Sequence, residues 1–165
     1  MMLKLILFYV FAFLPLLGIP ITLEHAVTPR EVTWGLMGRD YLAPNHGMTF
    51  TFPGNAKTGV WMFNCNIDLS VAFLDKNFTI VELHELQAYP NEMDPRRPVR
   101  TFNDLVKYPP NDPIVVFFRR KSIFSKQPVK YMVEMSKNWF PSHNVRIGDR
   151  ILWDESSSEG EIVKL

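Results

Sequence analysis

From Gly47 onward the chain alternates strictly. Met48, Phe50 and Phe52 fall on one side and Thr49 and Thr51 on the other, which is the two-residue period of a half-buried strand. Pro53-Gly54-Asn55 breaks that run. Residues 58–64 and 70–74 predict a second and a third strand. The Asp75-Lys76-Asn77 turn then predicts that residues 78–85 return as a hairpin partner rich in branched and aromatic side chains. Residues 129–135 predict another strand, Ser136 caps a short turn through Trp139, and the Arg146-Ile147-Gly148-Asp149 turn leads into a final strand ending at Trp153. Helical signals are brief. Thr28-Pro29-Arg30-Glu31 combines a capping box with a proline at the first helical position, which predicts a helix toward Trp34 that Gly35 ends in the left-handed conformation.

Residues 90–128 differ in kind, holding seven of the 13 prolines. They read as a Pro-rich excursion over the surface, with one helical turn at Thr101-Phe102-Asn103-Asp104 and an added strand over residues 114–118. Many short strands and few helices predict a mainly β fold, α+β at most: a single antiparallel β-sandwich or open barrel with short helices. A parallel α/β sheet lacks its crossover helices.

Lys4 precedes an uncharged apolar run over residues 5–17, and Gly18, Ile19 and Pro20 follow, in the order of a secretory signal peptide. Leu16 and Leu17 stand where a cleavage site would carry small residues. Left uncut, the uncharged run extends over residues 5–23 and approaches the roughly 20 apolar residues that span a bilayer. Residues 1–20 are expected to be a signal peptide or an N-terminal membrane anchor. That makes the protein extracytoplasmic: periplasmic, secreted or held at the inner membrane. Residues 21–153 then form the β-rich domain and 154–165 an acidic mobile tail.

Composition narrows the chemistry. With 18 basic and 17 acidic side chains the net charge is +1, so no strong field draws the molecule to nucleic acid. Cys65 is the only cysteine and cannot form an intrachain disulfide, so the core carries the stability. Two local basic clusters, Arg96, Arg97 and Arg100, then Arg119, Arg120 and Lys121, are solvated loop charge or a face toward anionic lipid.

Three motifs carry a resemblance: Gly35-Leu36-Met37-Gly38-Arg39, then Gly47-Met48-Thr49-Phe50-Thr51-Phe52, then Val60-Trp61-Met62-Phe63-Asn64. Leu69, Val71, Phe73 and Asp75 continue the pattern, and Tyr131, Glu134, Gly148 and Asp149 close it. Over residues 23–151, interrupted by the Pro-rich excursion, the chain resembles the Domain of Unknown Function 192 family. Phe63 and Cys65 stand where the family pattern has Lys and Thr, and Asp68-Leu69-Ser70 replaces its Pro-Leu-Asp. The resemblance implies a bacterial, β-rich, exported protein and brings no reaction with it.

Candidate site residues follow from polarity out of place. Asn64 ends an aromatic strand where asparagine is disfavoured, so its amide either bonds backbone in the following turn or joins a polar pocket. Arg39, Trp61, Asn64 and Ser70 are the candidate ligand-binding set. The arginine fork would hold a carboxylate or phosphate and Trp61 would form an apolar wall, with a structural bond from Arg39 to loop carbonyls as the alternative. No catalytic constellation is evident. His25, His46, His84 and His143 show no ligand spacing, so neither a metal nor another cofactor is expected. A Cys65 and His84 nucleophile pair is weighed against a buried structural thiol, which the family's Thr favours. The expected function is a binding or interaction module for a small polar ligand or an envelope protein, with membrane contact through the N-terminal segment. The alternative is an enzyme, a hydrolase using polar groups near Asn64 and Ser70.

Overall fold

The computed structural model describes residues 18–165. β1 (Ile19–Ala26) leads into α1 (Pro29–Trp34), followed by β2 (His46–Ala56), the two-residue β3 (Gly59–Val60), β4 (Leu69–Leu74) and β5 (Ile80–Leu86). Two 3₁₀ turns, Pro90–Glu92 and Phe102–Lys107, precede α2 (Pro113–Lys121) and β6 (Ile123–Phe124). β7 (Val129–Ser136), α3 (Trp139–Ser142), β8 (Arg150–Trp153) and β9 (Glu159–Val163) follow.

The fold is mainly β: seven strands make one curled half-barrel sheet in the order β5-β4-β7-β2-β1-β9-β8, and β3 pairs with β6 in a separate ribbon. Pairing in the sheet is antiparallel except between β1 and β2, which run parallel through α1, so the all-antiparallel expectation is corrected there. The curl brings β8 back to the start of β5. Thr79 and Arg150 form a bridge, the Ile80 N–H donates to the Asp149 carbonyl at 2.8 Å, and the Gly148 N–H donates to the Ile80 carbonyl at 2.9 Å.

Strand alternation sorts the apolar residues onto two faces. Ile21, Leu23, Ala72, Leu74, Val133 and Met135 pack with Ile80, Ile151 and Ile162, which come from opposite ends of the sheet, so this cluster fills the concave side. Met48, Phe50, Val71, Phe73 and Met132 point to the convex side. There Leu36, Met37, Met62 and Phe63 from the loops and Val99, Tyr108, Val115 and Phe118 from the Pro-rich excursion cover them. The excursion is therefore a lid that completes the core. Its basic clusters are largely engaged: Arg97 meets Asp94 at 3.2 Å and Asp112 at 2.6 Å, and Arg119 donates to the Pro110 carbonyl at 3.1 Å.

Several expectations change for identifiable reasons. Residues 114–118, read as a strand, lie in α2: Asp112 accepts from the Ile114 N–H at 2.9 Å as N-cap, Pro113 starts the helix, and Arg119, Arg120 and Lys121 fill its last turn. Of residues 58–64 only Gly59 and Val60 are strand, because Asn64 adopts φ of 55° and the chain turns. The expected mobile tail instead supplies β9, whose Ile162 is fully buried opposite Ile19. β1 itself was not expected as a strand. Its Pro20 lies before pairing to β2 begins at Thr22, where the strand has only β9 beside it and a missing N–H is tolerated. The signal or anchor expected over residues 1–20 lies, apart from its last three residues, outside the described residues. The capping box is observed as read: Thr28 accepts from the Glu31 N–H, and the Glu31 carboxylate accepts from the Thr28 N–H at 2.9 Å.

Candidate functional site

Glu134 occupies the middle of β7, and alternation turns it to the convex core with Met132. Its cross-strand neighbours are Met48 on β2 and Val71 on β4, both apolar. Only 5% of its surface is exposed. No described residue donates a hydrogen bond to its carboxyl, and burial raises its pKa from the ordinary carboxylate range to about 8. Yet among the described residues no side-chain polar atom is both sealed and unpartnered, so the Glu134 oxygens open onto free space.

That space is a cavity of about 100 Å³ between the sheet, α1 and β3. Its floor is buried: Phe50, Cys65, Met132 and Glu134. Half-buried Val32, Trp34, Phe52 and Trp61 form the walls, and Thr33 and Gly59 stand at the exposed rim. The turn at Gly35, with φ of 49°, leaves no room for a side chain beside the Phe50 ring, which a Cβ there would meet at 3.2 Å. Trp61 is held by stacking on Phe63, ring centroids 5.0 Å apart, and Phe63 in turn meets Tyr108 and Phe118 edge-on. Burial first, and the Glu134 carboxylate second, push the Cys65 thiol far above its usual range, so it stays protonated and is no nucleophile at neutral pH.

Of the four residues expected to bind ligand, Trp61 lines this cavity and the other three do not. Arg39 gives both guanidinium nitrogens to the carboxylate of Glu24 on β1, each at 2.6 Å, which occupies the fork. Asn64 lies in the left-handed region; its carbonyl accepts from the Gly38 N–H at 2.8 Å and its amide donates to the Val99 carbonyl at 3.1 Å, tying three loops together. Ser70 is fully buried and donates to Glu85 at 2.5 Å. Because Ser70 is in register with Met135 while Val71 is in register with Glu134, Ser70 sits on the opposite face of the sheet from the cavity. Arg39→Ala should lower stability by no more than about 1 kcal/mol, since an exposed ion pair contributes little. A thermal melt checks this, and a loss of several kcal/mol would show that the fork fixes the loop.

Glu134 carried a legible signal: a single acid among Met132, Val133 and Met135, at a position that alternation places on the buried side. The cavity around it was not legible, since its walls come from four separated segments. Among the described residues no three His, Cys, Asp or Glu side chains converge as a metal site would require. His84 instead meets Glu82 at 3.1 Å on β5. No helix of the described residues is long and apolar enough to cross a membrane.

A model of the DUF192 family, described as Uncharacterized ACR, matches residues 17–107. A candidate transcription regulator from Sinorhizobium meliloti 1021 is similar in structure, with 28% identity over 79% of each chain and a TM-score of 0.57. A protein of unknown function from Novosphingobium aromaticivorans DSM 12444 has 19% identity over 79% of this chain and 74% of that one, with a TM-score of 0.58, a likeness of fold alone. None of the curated proteins compared matches the chain.

Proposed function

Because the chain belongs to the DUF192 family, and the matched segment supplies Trp34, Phe50, Phe52 and Trp61 to the cavity, we propose that it is an extracytoplasmic binding module that takes a small ligand, free or borne by an envelope protein, against Glu134. The observation that carries this reading is the buried carboxyl with no partner among the described residues, opening onto an aromatic-walled space. Burying such a group without a bond costs about 1 to 3 kcal/mol, a cost a scaffold gains nothing by keeping and a ligand would offset. Export is supported by Lys4 and the uncharged run after it, and the buried thiol of Cys65 is shielded from an oxidising space. The regulator's role named for the Sinorhizobium protein is not adopted, since 18 basic and 17 acidic side chains leave no strong field toward nucleic acid.

The test is a thermal-shift screen of small metabolites on the wild type and on Val32→Trp, which plugs the cavity from one wall. At least one compound should raise the melting temperature of the wild type and leave the plugged variant unmoved. A screen without shifts, or shifts that survive the plug, overturns the reading. Fractionation of a tagged chain tests export separately, with full-length protein free in the cytoplasm as the contrary result.

A further inference from the structure

The cavity's composition says more about its ligand, on the premise that it binds one. Four of its lining side chains are aromatic, Trp34, Phe50, Phe52 and Trp61, and its one charged side chain is Glu134. No lysine or arginine lines it to neutralise that carboxylate. We propose that it is an aromatic cage for a methylated ammonium group, with the ring faces and the Glu134 carboxylate sharing the positive charge.

Each competing class fails on a feature of the site. An anion would find no lysine or arginine to meet it. A metal ion needs several oxygen ligands, whereas the walls offer one carboxyl. A primary ammonium needs acceptors for three N–H groups. Besides Glu134 the lining side chains offer only the exposed rim hydroxyl of Thr33, which donates to the Pro29 carbonyl at 2.7 Å, and the weak sulfur acceptors of Met37, Cys65 and Met132. A neutral apolar ligand gains nothing from Glu134. A methylated ammonium has no such demand for acceptors, and its diffuse charge is attracted to aromatic faces. Size agrees: a cavity of about 100 Å³ is smaller than the roughly 150 Å³ that holds benzene, and suits a group of about five heavy atoms such as trimethylammonium with its first methylene.

The ionised form of Glu134 is the one a cation recruits, so affinity should rise as pH increases toward about 8 and level off above it. The elements packed on Glu134 add little to that titration. Met48, Val71, Val32, Trp34 and Val60 are apolar, and Cys65, the other titratable wall, stays protonated.

The experiment titrates the full chain with choline and with 3,3-dimethylbutan-1-ol, its neutral isostere, following tryptophan fluorescence and heat at pH 6 and pH 9. Choline should bind at least tenfold more tightly than the isostere, and more tightly at pH 9 than at pH 6. Glu134→Gln should erase the pH dependence and shrink the preference for choline to what the rings supply, and Trp61→Phe, which keeps a ring, should weaken choline binding without abolishing it. Equal affinity for the two probes would overturn the cage while leaving the cavity as an apolar ligand site. Choline binding unchanged in Glu134→Gln, or no binding of either probe, would also overturn it. The metabolite screen on the plugged variant then decides separately whether the binding reading stands.

Discussion

Raising the pH from about 4.5 to about 8 should destabilise the wild-type protein by several kcal/mol, and Glu134→Gln should remove most of that dependence. Below the ordinary carboxylate range Glu134 is protonated whether the chain is folded or unfolded, and its burial cost does not change with pH. Between that range and its folded pKa of about 8, the unfolded chain releases a proton that the folded chain keeps. Each pH unit in the window therefore favours unfolding by about 1.4 kcal/mol. Above about 8 the group is ionised in both states and the penalty is constant. The acid limb runs the other way: Asp94 is held at about 2, chiefly by hydrogen bonds from Arg96, and Asp104 is lowered by Lys107, so their contributions are lost as pH falls. Urea melts across pH 5, 6, 7 and 8 for wild type and Glu134→Gln isolate the Glu134 limb, since the acid limb lies below that range. Parallel curves for the two proteins would show that Glu134 is solvated or paired in solution.

Gly47→Ala should be nearly as damaging, at about 3 kcal/mol or more. Gly47 lies in register with Met135 on β7, and a Cβ there would run into the carbonyl oxygen of Glu134 and the sulfur of Met135. Sulfur at the end of a flexible chain can yield, but a backbone carbonyl in a central ladder cannot, so β2 and β7 must part beside the residue that floors the cavity. A chemical-denaturation midpoint reads the loss. Near-wild-type stability would mean that the two strands can separate locally, contrary to the packing of their buried faces.

Period and punctuation made much of this fold legible. Met48, Phe50 and Phe52, the hairpin through Asp75-Lys76-Asn77, the strand at 129–135 and the Thr28 capping box all stand where they were read. What failed had two competing signals. Residues 114–118 are branched and aromatic, yet Asp112 and Pro113 ahead of them and three cations behind them decide for a helix. The Glu159–Val163 segment is polar enough to pass for a tail, and only its pairing with β1 and β8 makes it strand. For the site the limit is different in kind. Trp61 lines a cavity that Arg39, Asn64 and Ser70 do not share, and Arg39 is satisfied by Glu24, a partner 15 residues earlier that no local rule points to. Ser70 was separated from it by a single step of the pleat, which a motif does not display.

The pairing of Ile19 with Ile162 bears on when the molecule can become native. β1 lies inside the sheet between β2 and β9, so the strand synthesised early waits for one synthesised late, and Ile21 and Leu23 stay uncovered until it arrives. Contacts of that sequence separation make folding slow, because the whole intervening chain must be organised before they form. A nascent chain of this kind stays short of its native core until its last strand has been made.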